Sequence, residues 1–106
     1  MVRGTTPTLI LKLNTDLDVG NMKQIWVTFK SIMNEVTLSK NDIRVINESD
    51  LIISLSQEQT LKFTEGIVSV QVRLLTPDNK AYATKIKTIN MSNVLKEGVI
   101  MWMNFC

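Results

Sequence analysis

Histidine is absent from the 106 residues, and cysteine occurs once, as Cys106. The first absence removes Ser-His triads, Cys-His dyads and nearly all zinc or copper sites. The second excludes an intrachain disulfide framework and any cysteine-based metal cluster. Neither sign of charge dominates, since 12 Lys+Arg stand against 10 Asp+Glu. No general affinity for nucleic acid or an anionic membrane surface follows from that balance. GxGxxG, Walker-type and GxSxG motifs are all missing. The longest apolar run, Val99 to Met103, falls far short of the roughly 20 residues that a spanning helix needs. These absences speak against most enzyme classes, and the reading is of a protein without catalytic residues, cofactor or metal.

Targeting signals are scarce as well. The opening Met1 to Pro7 has one positive residue and no apolar stretch of signal-peptide length. Gly4 is not in second position, so the start does not read as a myristoylation site. Synthesis and folding in a cytoplasm are expected. Asn90-Met91-Ser92 fits the glycosylation pattern, but nothing in the sequence directs the chain to a secretory route.

What is present is a chain that is 44% apolar with no low-complexity run, long enough for one domain with its own core. Its dominant period is two, the period of strands. Leu9, Leu11 and Leu13 share one face, and Ile25, Val27 and Phe29 share another, which leaves Trp26 outward as a candidate contact residue. Ile32, Asn34, Val36 and Leu38 alternate more weakly. Ser39 to Asp42 reads as a turn, and Ile43 to Ile46 as a short strand ended by Asn47 to Asp50. Leu51, Ile53 and Leu55 point inward. Ser56 with Gln59 matches a capping box, predicting one helical turn that crosses between sheets, with Leu61 and Phe63 plugging the core beneath it.

Val68, Val70, Val72 and Leu74 form the inward face of the strongest strand. Thr76 to Lys80 is a hairpin turn, and its partner strand is expected from about Ala81 to Ile89, with Tyr82, Thr84 and Ile86 alternating against Ala83, Lys85 and Lys87. Ser92 to Gly98 reads as a capped helical turn closed by Gly98. The pattern predicts an all-β fold, an antiparallel immunoglobulin-like β-sandwich of about seven strands with one or two short helical turns. The sandwich is expected over 1–98, with an apolar tail over 99–106.

Chemistry-bearing side chains have bland readings. Asp16 and Asp18 lack the further oxygen ligands of a calcium loop and read as a solvated turn. Glu48 and Asp50 lie in a turn with no basic partner nearby. Arg73, Lys80, Lys85 and Lys87 suggest a positive stripe on one sheet face, but Tyr82 is the one aromatic near it for base stacking. Outward lysines also guard strand edges.

The tail resists a bland reading. If extended, it sets Ile100, Trp102 and Cys106 on one side and Met101, Met103 and Phe105 on the other. A two-layer domain covers one side of a final strand, and large exposed apolar patches mark interaction surfaces. Trp26, Ile100, Met101, Trp102, Met103 and Phe105 are therefore the candidate residues for contact with a partner subunit.

The opening Arg3-Gly4-Thr5-Thr6-Pro7-Thr8 resembles the start of small β-sandwich proteins of tailed-phage structural modules, among them the N-terminal domain of phage baseplate upper proteins. Leu51 to Phe63, Val70 to Leu75 with the Asp78-Asn79-Lys80 turn, and Asn93 to Ile100 resemble the same group. The resemblance implies a non-enzymatic virion structural or assembly protein, at the baseplate, neck or capsid surface. Other virion subunits in a symmetric multi-copy assembly would be its partners, without nucleic acid or membrane. The host cytoplasm would be its location before assembly. A host-surface or glycan adhesion module is the alternative.

Overall fold

The period-two segments become strands in the computed structural model, which describes residues 1–13 and 15–98. Two antiparallel sheets face each other. The first contains β1 (Thr8–Lys12), β4 (Ile43–Ile46) and β5 (Asp50–Ser54), in the order β1-β5-β4. The second contains β2 (Gln24–Lys30), β3 (Glu35–Leu38), β6 (Gly66–Leu75), β7 (Ala81–Ala83) and β8 (Lys87–Met91). Its order is β3-β2-β6, with β7 and β8 both on the remaining side of β6. The protein is an all-β antiparallel sandwich. No helix among the described residues is long and apolar enough to cross a membrane.

The core is the set of inward alternating positions. Ile25, Val27 and Phe29 from β2, Leu51 and Ile53 from β5, and Val68, Val70, Val72 and Leu74 from β6 are all buried. Phe29 and Phe63 add a tilted aromatic pair, with centroids 6.3 Å apart, inside this layer. Ile32 departs from the expected alternation. It sits with Met33 at the tip of the β2–β3 hairpin, both strongly exposed, because Ser31 N–H bonds Asn34 C=O and ends the ladder there.

Each of the three crossings between sheets contains a turn of helix. A 3-10 turn at Val19–Asn21 lies between β1 and β2, and another at Lys40–Asp42 between β3 and β4. Helix α1 (Gln57–Leu61) carries the chain from β5 to β6, capped as the sequence suggests: Ser56 Oγ accepts from Gln59 N–H, and Gln59 Oε1 accepts from Ser56 N–H. Phe63 is fully buried below α1, whereas Leu61 is half-buried at the rim of the core.

The expected single strand from Ala81 to Ile89 is two strands. β7 pairs Leu74 with Tyr82, while β8 pairs Val70 with Lys87 and Val68 with Ile89, so the register shifts by one residue between them. Three residues, Thr84 to Ile86, therefore oppose two on β6, which is a β-bulge. The threonine heals the ladder: Val72 N–H donates to Thr84 Oγ1, and Thr84 N–H donates to Val72 C=O. Because strand faces alternate, one extra residue exchanges the faces. Ile89 and Met91 turn toward the core, and Ile86 is left 61% exposed, off the face it was expected to share with Tyr82.

Arg3 fastens the two ends of the described chain. Its Nε donates to Phe63 C=O at 2.6 Å and Nη2 donates to Leu61 C=O at 3.1 Å, while Nη1 meets Asn93 Oδ1 and Glu97 Oε1. Its side chain is 13% exposed against 67% for Glu97. Arg3→Met is expected to cost on the order of 2 kcal/mol, because two carbonyls lose a charged donor in a partly buried site. Glu97→Gln should cost less than about 1 kcal/mol, since a solvated carboxylate adds little. Thermal melts followed by circular dichroism check the order; equal losses would show the ion pair, and not the carbonyl clamp, to be the fastening.

Candidate protein-interaction site

The two sheets are unequal in width. Among the described residues, four columns of strand stand in one sheet (β3, β2, β6, then β7 with β8) against three in the other. The shortfall falls beside β1. There an open groove of about 670 Å³ runs between β1 and the β7–β8 column. Leu11, Leu13 and Leu17 form one wall, Val70, Val72 and Leu74 the floor, and Tyr82 and Ile89 the far side. Lys12, Lys85 and Lys87 line its rim. The missing column explains why Leu9, Leu11 and Leu13 are only half-buried although they face inward as the sequence suggests. Tyr82 has the inward register of Leu74 yet is 44% exposed, because nothing among the described residues lies over it.

The edge of β1 that borders the groove is unpaired among the described residues. Leu55 N–H donates to Pro7 C=O and Leu13 N–H donates to Ser49 C=O, so the odd-numbered positions of this segment turn their polar groups toward β5. Thr8, Ile10 and Lys12 accordingly turn their N–H and C=O groups outward. Ile10 is also 57% exposed, and no proline or bulge blocks the edge within β1. Free edges of this kind are templates for an added strand. The groove thus offers the two things that a docked strand uses, a row of backbone donors and acceptors and an apolar floor.

The sequence-derived site residues do not converge here. Trp26 is on the outer face of the wider sheet, opposite Arg73 on β6, whose guanidinium carbon is 5.6 Å from the ring centroid. Its ring remains 44% exposed beside a shallow depression lined also by Gln24, Leu75 and Ala81. Arg73 covers part of the surface on which a sugar would stack. Ile100, Met101, Trp102, Met103 and Phe105 lie outside the described residues. The suggested basic stripe divides: Arg73 is on the outer face with Trp26, whereas Lys85 and Lys87 flank the groove. No group of three or more metal-ligating side chains is gathered among the described residues.

Sequence reasoning did not find Leu17, Tyr82, Lys87 and Ile89 as groove residues. Their signal is faint, because the alternation sets Tyr82 against Lys87 and only the bulge brings both to the groove side. Tyr82→Lys, at a half-exposed position over the floor, is expected to change stability by less than about 1 kcal/mol, as surface substitutions do. A larger loss in a chemical-denaturation series would mean that the groove is closed in solution. No family model matches the chain, and no curated protein or solved structure matches it at a significant level.

Proposed function

We propose that this chain is a non-enzymatic assembly module that joins other subunits through protein–protein contacts at the open side of its sandwich. The observation that carries the reading is the strand column beside β1 that no described residue fills, with an edge unpaired among the described residues and an apolar floor. A tailed-phage particle is the setting in which we place it, as a baseplate, neck or capsid-associated component present in several copies. The resemblance of residues 3–8, 51–63, 70–80 and 93–100 to small phage sandwich proteins supports that setting. Sedimentation velocity of the full chain tests the assembly role. Concentration-dependent association is expected, and a strict monomer from micromolar to millimolar concentration would overturn it. Mass spectrometry of purified particles tests the setting: the chain should be a stoichiometric component, and its absence from them would remove the virion reading.

A further inference from the structure

Resting on that assembly reading, we infer that the open column is filled by residues 99–105 of a second copy, which pair with the outward edge of β1 as a fourth strand. The seat has the shape of one strand. It lies over the β7–β8 column, is bounded on one side by β1, and presents the backbone groups of Thr8, Ile10 and Lys12. The segment Val99-Ile100-Met101-Trp102-Met103-Asn104-Phe105 carries no charge and no proline. Extended, its seven residues reach ~23 Å, enough to run the length of five-residue β1 and overhang it. Alternate side chains would enter the groove and cover Tyr82 and Ile89, as the inward row of any sandwich strand does. Lys12, Lys85 and Lys87 can lie along such a strand by their methylene stems while their ammonium groups stay in water.

The donor is a second copy because of where the chain leaves the domain. Ser92 continues the β8 edge and bridges to Val2. Asn93 and Glu97 then both meet the same Arg3 that holds the carbonyls of Leu61 and Phe63. Gly4 lies beside Leu61 and Val94, and Thr5 C=O accepts from Thr60 Oγ1, so residues 4–7 cross to β1 at the same end of the sandwich where Glu97 is held. A segment leaving at that end reaches a neighbour's groove without reversing around its own residues 4–7. Each copy would then both give and receive a strand, a head-to-tail contact that forms rings or filaments.

Fluorescence transfer in the full chain tests this. One batch carries a donor dye on the native Cys106. The other carries an acceptor on Lys85→Cys in a Cys106→Ser background. Mixing the two should give energy transfer that rises with concentration. Two variants supply the control. Ile10→Pro removes an outward N–H that makes no bond within the sheet, and Trp102→Glu places a charge on the donated strand. Each should weaken association at least tenfold while leaving the far-ultraviolet circular dichroism of a β protein unchanged. Absence of transfer between the two batches, with concentration-independent transfer inside Lys85→Cys chains labelled on both cysteines, would place the segment in its own groove and overturn the inference. If the chain associates and neither variant alters it, the seat is not the contact, and the assembly role survives without it. If the chain is monomeric throughout, the assembly role itself falls.

Discussion

Val27→Asp is expected to abolish the folded state. Val27 is fully buried in the middle of β2, opposite Leu38 on one side and Val72 on the other. An ionised carboxylate there has no partner cation, and an unpaired buried charge costs several kcal/mol against a total stability of about 5–15 kcal/mol. The variant should lack the cooperative melt seen for the parent in circular dichroism. Val70→Asp makes the instructive contrast. Val70 is 5% exposed and forms part of the groove floor, so a carboxylate at that position can reach water. It should be destabilised yet retain a transition. If Val27→Asp melts like the parent, the inward face of β2 is assigned to the wrong side; if both variants are equally unfolded, the groove is not open to solvent.

Phe63→Ala should have the next largest effect, a loss of about 3–5 kcal/mol. Phe63 is fully buried and tilted against Phe29, and its own carbonyl receives Arg3 Nε. Removing the ring leaves a cavity at the point where the crossing under α1 is pressed onto the core. At roughly 4–8 °C per kcal/mol for a domain near this size, the melting temperature should drop by more than about 12 °C. Leu61→Ala, a residue of the same crossing that is half-buried, should cost less than half as much. Equal losses at the two positions would show that the α1 segment, and not the ring beneath it, holds the layers together.

Much of the sandwich was legible in advance because its strands are strictly alternating. Ile25, Val27 and Phe29 could have been placed together from spacing alone, since an inward row two residues apart buries one face of a sheet and wets the other. The α1 crossing was equally legible, because Ser56 and Gln59 satisfy backbone donors that any helix start leaves free. Local chemistry sufficed in both cases. The strand after Asn79 was not legible, because a bulge is written in pairing. Whether Thr84 advances the register depends on Val72 across the ladder, and the local alternation of Tyr82, Thr84 and Ile86 runs on as though nothing interrupted it.

The candidate site divides in the same way. Trp26 was identified as outward from its own strand, and it is outward. Its pairing with Arg73 could not be foreseen, since those residues meet through the register of β2 against β6. The groove was invisible for a stronger reason. Leu11, Val72 and Leu74 all read as inward residues, and each does point into the space between the sheets. By itself the sequence determined the class of fold, the inward faces and the caps, because these rest on contacts within a few residues. The number of columns in each sheet, the bulge that turns Ile89 and Met91 inward, and the open seat beside β1 were decided by the tertiary structure. A strand carries no local mark of how many neighbours its sheet will gather, so the place where one is missing exists only once the layers have packed.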